Sequence, residues 1–269
     1  MMSLARILFS VLALTLVCHA QPFELKPNDV IALTGGSNME RTRFNGYLHT
    51  QLVASKPELK IKVRNFGWEG DTVFEQWRDG GHTENLDPKR AAAEKRIQAE
   101  TGTDSWRQQR DWRQQLKEVG ATVVIAQFGQ MESLNGVEKL PQFIEAYEKL
   151  IAEFADEGRR VVLVAPVPFE RSVALGEYSE AVRALALKKG LHFVGPVGQV
   201  GRVGHELTED GHRAMAEHLV NALGLTPKSN ESVRTHVLEF ERLWFDYWRP
   251  MNWAFLTGDR TNVPYSKDW

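Results

Sequence analysis

The stretch DVIALTGGSN, residues 29–38, decides the fold. Val30 to Leu33 is a short apolar run that stops at Gly35-Gly36, and apolar residues then recur at helical spacing from Tyr47 to Ala54. That order reads as a strand, a tight turn and a helix. The same rhythm repeats downstream. Ile61 to Phe66 alternates apolar and polar residues and ends at Gly67, whereas Thr122 to Phe128 is almost continuously apolar and is closed by Gly129. The second pattern belongs to a strand buried on both faces. Val137 to Ala155 has a helical pattern, followed by the strand Arg160 to Ala165, which Pro166 and Pro168 stop. Tyr178 to Lys189 is a helix ended by Gly190, and His192 to Val194 is a fifth strand. Thr208 to Leu223 is a further helix, with Thr208 as N-cap and Glu209 and Asp210 at its positive end. Strands alternating with helices predict an α/β chain: a flavodoxin-like α/β/α sandwich around a central, mostly parallel five-stranded sheet.

Two regions depart from this rhythm. Residues 79–115 are polar and read as a helical insertion or lid over the sheet. Residues 239–269 concentrate Phe240, Trp244, Phe245, Tyr247, Trp248, Trp253 and Phe255, and so many rings predict a tail packed on the domain. The start of the chain reads as an address. A short positive beginning through Arg6, an apolar run from Ile7 to Val17 and the small-residue site Cys18-His19-Ala20 form a cleavable signal peptide over residues 1–20. That run is too short to cross a hydrocarbon core of ~30 Å at ~1.5 Å per residue. The expected product is a secreted or periplasmic domain over residues 21–238 plus its tail, with no membrane attachment.

Composition excludes several classes of function. The chain has 269 residues and 42% hydrophobic content, enough for one self-sufficient core. With 33 Lys and Arg against 35 Asp and Glu, it lacks the basic face that phosphate neutralisation requires, so nucleic acid is not an expected partner. One cysteine excludes a disulfide framework and multi-cysteine metal sites. The group His205, Glu206, Asp210 and His212 matches no zinc or calcium spacing, and neither glycine pair forms a phosphate loop, so no cofactor is expected. The chemistry falls to oxygen and nitrogen side chains.

In open parallel sheets, ligands bind beyond the carboxyl ends of the strands. Ser37 sits there, on a glycine turn at a helix start, where unpaired N–H groups can hold an oxyanion. Ser37 is therefore the candidate nucleophile, although Ser37 or Asn38 also fits a plain helix N-cap.

Four blocks carry a resemblance. Gly-x-Ser-Asn follows strand one, Arg-Asn-x-Gly-Trp-x-Gly-Asp-Thr strand two and Gly-x-x-Glu strand three, and Leu-Thr-x-x-Gly-His-Arg opens the last helix. Together they resemble the SGNH, or GDSL-type, hydrolases from about Asp29 to Leu223. The likeness is greatest to an exported esterase-like branch of planctomycete and verrucomicrobial genomes, whose carboxyl terminus the tail from Leu243 to Arg260 also resembles. The resemblance implies hydrolysis of esters or acetyl esters, commonly on carbohydrate, with Ser37 as nucleophile and the Gly70 N–H as oxyanion donor.

It also implies a depleted catalytic set. Met131 stands where the family has an asparagine donor, Gly36 where the first block has an aspartate, Val203 at the triad aspartate and Glu206 at the triad histidine. A thioether donates no hydrogen bond. Losing an oxyanion donor costs roughly 10²- to 10³-fold in rate, and losing a triad histidine as much as about 10⁶-fold.

His205, one residue before the family position, is the candidate replacement base; Glu206 and His82 are the other candidates, and His212 reads as a cap or packing residue. Gly129, Gln130, Met131 and Glu132 are expected to line the pocket, and Asn38, Trp68, Asp71 and His82 to contact substrate. A second expectation is an inactive relative that binds an extracellular glycan, with Trp68 as a stacking surface.

Overall fold

The computed structural model describes residues 23–74, 112–169 and 171–248. Five strands form its sheet: β1 Val30–Gly35, β2 Lys62–Asn65, β3 Val123–Gln127, β4 Arg160–Val164 and β5 His192–Val194. Every pairing is parallel and the order is β2-β1-β3-β4-β5. In register, Leu33 pairs with Asn65 on one side and Ile125 on the other, and Ile125 pairs with Val162. All five segments read as strands from hydrophobic pattern are strands of this sheet, and the expected sandwich is the observed one. The signal-peptide reading of residues 1–20 lies outside the described residues, as does all of the expected insertion except 112–115.

The sandwich follows from a period of two. Ile31, Leu33, Val123, Ile125, Val162, Val164 and Val194 point to one face, where Leu48 and Leu52 of α3 (Tyr47–Ser55) and Leu219 and Val220 of α7 (Glu209–Ala222) cover them. Ala32, Val124, Ala126, Val161 and Leu163 point to the other, against a second helical layer. This layer comprises α4 (Trp112–Glu118), α5 (Leu140–Phe154) and α6 (Leu175–Lys189), which bury Trp112, Phe143, Tyr147, Phe154 and Tyr178. After the Gly35-Gly36 turn the chain also forms two single-turn helices, α1 Ser37–Glu40 and α2 Thr42–Asn45, too short to leave a periodic signature. A small antiparallel hairpin, β6 Arg202–Val203 with β7 Glu206–Leu207, precedes α7. As expected, Thr208 caps α7, its hydroxyl accepting from Gly211 N–H at 3.2 Å.

The long helix α8, Glu231–Trp248, contains the first part of the aromatic stretch. Its apolar side, including Val237, Phe240 and Trp244, lies against α2, α3 and the edge strand β2. The Trp244 indole donates to Asn65 O at 3.0 Å and meets Phe66 edge-on. An edge strand is thereby shielded by a helix.

Gly35 at the end of β1 shows how tightly the top of the sheet is packed. Its φ of +147° is open to glycine, and a Cβ there would lie 2.4 Å from Gln127 O on the neighbouring strand. Gly35→Ala should cost at least about 2 kcal/mol and lower the melting temperature by roughly 4–8 °C, read by thermal denaturation.

Candidate active site

Ser37 opens α1 directly after β1. Gly36 is the extended N-cap and no side chain caps the helix, so the Ser37 hydroxyl is not engaged as a cap. The loop after β2 is drawn onto this turn by Asn65. Its Nδ2 donates to Met39 O at 3.1 Å, Glu40 O at 3.3 Å and Thr42 Oγ1 at 3.0 Å, while its Oδ1 accepts from Gly67 N–H at 2.8 Å. One buried amide thus joins the helix that Ser37 opens to the following glycine loop. Only glycine permits the contact at position 67, where a Cβ would lie 2.5 Å from Glu40 N. Three residues on, Gly70, in the left-handed region at φ +69°, donates its N–H to Ser37 Oγ at 3.1 Å. Gly36 is explained by the same packing: a Cβ there would meet Asp71 O at 3.1 Å, leaving little room for the aspartate of the resembling family.

The loop after β3 approaches from the other side. Gln130 Oε1 accepts from Asn38 Nδ2 at 3.1 Å, and Gln130 Nε2 donates to Val167 O and to His205 O, each at 3.0 Å. Asn38 Nδ2 also donates to His205 O at 3.0 Å, and Asn38 Oδ1 accepts from Leu207 N–H at 3.0 Å. Both amide groups are therefore committed within the protein. Glu132, also buried, accepts from Gly129 N–H at 3.0 Å and Val73 N–H at 2.9 Å, and so ties the β2 and β3 loops together. A cavity of about 10 Å³, room for roughly one water, lies among Gly36, Asn38, Asp71, Gln127, Phe128, Val167 and the four residues expected to line a pocket, Gly129, Gln130, Met131 and Glu132. Ser37 is buried, 3% exposed, and does not line it.

The base candidates differ in their surroundings. His205 lies in the turn between β6 and β7 with its ring part-exposed, Nε2 standing 3.8 Å from Glu206 Oε1. Glu206 in turn forms an ion pair with Arg41, Nη2 to Oε1 at 2.7 Å, and Arg41 also faces Glu69 at 3.8 Å. Among the described residues, no imidazole or carboxylate is within hydrogen-bond distance of Ser37 Oγ, and Gly70 N–H is its partner. His82 lies outside the described residues. Trp68 is part-buried with its backbone N–H on Gly35 O at 2.9 Å, and Asp71 is buried with Oδ1 accepting from Thr72 N–H at 2.9 Å. No group of three metal-ligating side chains occurs among the described residues.

Arg41 and Asn65 escaped the reading of the sequence as site residues. Asn65 stands within a quoted block, but its reach to α1 depends on tertiary contacts. Arg41 lies four residues beyond Ser37, and its pairing with Glu206 spans most of the chain.

No family model matches the chain, and no curated protein matches its sequence. Solved structures do. The acetylxylan esterase Axe2 from Geobacillus stearothermophilus superposes with a TM-score of 0.53 at 16% identity, over 76% of this chain and 99% of that one. A protein described as a GDSL-like lipase from Parabacteroides merdae gives 0.53 at 16% identity, again over 76% and 99%. BT4096, a gut microbial diltiazem-metabolizing enzyme, gives 0.53 at 17% over 77% of this chain and 49% of its own. The fold is the one these structures share, that of the GDSL-type or SGNH hydrolases.

His212, in the first turn of α7, is buried at 5% exposure, and its Nδ1 has no hydrogen-bond partner among the described residues. Burial first, and then the Arg41 charge, lower its pKa from 6.5 to about 4. The folded state thus favours the neutral ring, and its stabilising effect is complete above the unfolded value and declines as pH falls towards 4. Between pH 7.5 and 4.5 this ring should account for about 2–3 kcal/mol of lost stability. Denaturant titrations of His212→Gln at both pH values should show a pH dependence flatter by that amount.

Proposed function

We propose that this chain is an exported hydrolase of carboxylic esters, with Ser37 as nucleophile, the N–H groups of Gly70 and Ser37 as oxyanion donors, and His205 as base. The observation that carries the reading is the Gly70 N–H held 3.1 Å from Ser37 Oγ at the carboxyl edge of the sheet. As Oγ bonds to the ester carbonyl carbon, its proton passes to the His205 imidazole, and the Gly70 N–H turns from Oγ to the carbonyl oxygen, which is becoming negative. The imidazolium then protonates the departing alcohol. Water repeats the sequence on the acyl-enzyme, releasing the acid and restoring Ser37.

Glu206, 3.8 Å from the ring, is placed to orient it and to balance its positive charge. Catalytic hydrogen bonds are often long in unliganded sites and shorten around the substrate. The acetylxylan esterase neighbours support small acyl esters of carbohydrate as the substrate class. The residue pattern of the amino terminus supports export, and that of the four blocks and the tail supports the planctomycete and verrucomicrobial branch. The rate is low for this fold, because Met131 offers no donor and the amides of Asn38 and Gln130 are spent on the protein.

A second reading, an inactive protein that binds an extracellular glycan beside Trp68, is favoured by the ion pair that holds Glu206 on Arg41 and by the lack of a base on Ser37 among the described residues.

Purified protein freed of residues 1–20 should hydrolyse p-nitrophenyl acetate and acetylated xylooligosaccharides, with kcat/KM reduced at least about 10³-fold by Ser37→Ala and about 10²-fold by His205→Ala. Turnover indifferent to Ser37→Ala would overturn the assignment. Absent turnover with saturable xylooligosaccharide binding, lost in Trp68→Ala, would establish the second reading.

A further inference from the structure

Two side-chain amides distant in sequence converge on one carbonyl. Asn38 Nδ2 and Gln130 Nε2 each donate to His205 O at 3.0 Å, Asn38 also donates to Gln130 Oε1 at 3.1 Å, and Asn38 Oδ1 accepts from Leu207 N–H at 3.0 Å. Asn38 follows Ser37 directly, and His205 and Leu207 flank Glu206. The segment bearing His205 and Glu206 is therefore fixed by three hydrogen bonds to the residue beside the nucleophile and to its amide partner. Gln130 is itself anchored by donation to Val167 O at 3.0 Å. Both amides are buried, so these bonds meet little competition from water, and losing one would strand the opposing group unsatisfied.

Resting on the hydrolase reading above, we propose that Asn38 and Gln130 are positioning residues that hold the His205 backbone beside the nucleophile turn, and that they contribute to turnover through His205 rather than as oxyanion donors. Neither amide has an N–H to spare: both hydrogens of Asn38 Nδ2 go to Gln130 Oε1 and His205 O, and both of Gln130 Nε2 go to Val167 O and His205 O. An oxyanion could recruit them only by displacing one of these internal acceptors. The half-exposed ring of His205 has no hydrogen bond of its own among the described residues, so its approach to Ser37 is set by where its main chain is held. A reacting group displaced by about 1 Å can lose about 10²-fold in rate.

Gln130→Glu tests this. It retains an acceptor for Asn38 but sets carboxylate oxygens against the carbonyls of His205 and Val167; Gln130→Met removes the hydrogen bonds at similar volume and guards against a folding failure in the first. Each variant should lower kcat on p-nitrophenyl acetate 10- to 100-fold with KM within about twofold. In a His205→Ala background, the same substitutions should change kcat by less than about twofold, because their route to the reaction is already gone. A structural or oxyanion role would instead give additive losses in the double variants, and that result overturns the proposal. So does a Gln130 variant with wild-type kcat in an enzyme that Ser37→Ala inactivates, an outcome that leaves the hydrolase reading standing. Failure of the wild-type protein to turn over any ester overturns both.

Discussion

A parallel sheet ends in loops whose backbone groups have lost their ladder partners, and everything proposed for this chain depends on how these groups are satisfied. At the carboxyl edge the work is done by buried side chains. Asn65 serves the β1 and β2 loops, Glu132 the β2 and β3 loops, and Gln130 with Asn38 the β1, β3, β4 and hairpin loops. Each net contribution is modest, about 1 kcal/mol, but each group left unmatched would cost more. Cross-bracing on this scale ties the Ser37 turn and the Gly70 amide into one unit.

The architecture was legible because it rests on periodicity. β1 and β3 are buried along their whole length, and their residues sort alternately into the two apolar layers, so runs such as Val30 to Leu33 could be read directly. Ser37 and Gly70 were legible as a pair through their blocks, whose resemblance also implied that the two lie together. The bracing amides were invisible as such: Asn38 and Gln130 are 92 residues apart and Asn38 and Leu207 169 apart, and local spacing carries no record of such contacts. Both amides line the small cavity, as a pocket reading expects, but their hydrogen bonds are spent within the protein, which local spacing does not show. Helix α8 was missed for another reason. Val233, Val237, Phe240 and Trp244 recur at helical spacing, but only within a segment whose dominant feature is its density of rings.

Charge gives the site a second character. Where the resembling family places an imidazole, this chain has Glu206, and the carboxylate is drawn to Arg41 at 2.7 Å. Arg41 also faces Glu69 and helps keep the buried His212 uncharged. One guanidinium thus links the helix that Ser37 opens, the β2 loop and the hairpin. Met131 and Gly36 fit the same picture, in which steric packing and internal pairing occupy positions that elsewhere carry reacting groups.

The indole of Trp244 on Asn65 O adds a matter of timing. Asn65 ends the outermost strand on its side of the sheet and braces the Ser37 turn, yet the helix that shelters it is made from residues 231–248, long after the strand itself leaves the ribosome. Until that helix docks, the strand border is open to pairing with a neighbouring chain. A chain that folded during synthesis would carry this hazard throughout; one kept extended and folded in a single event would meet its own shield within the same collapse.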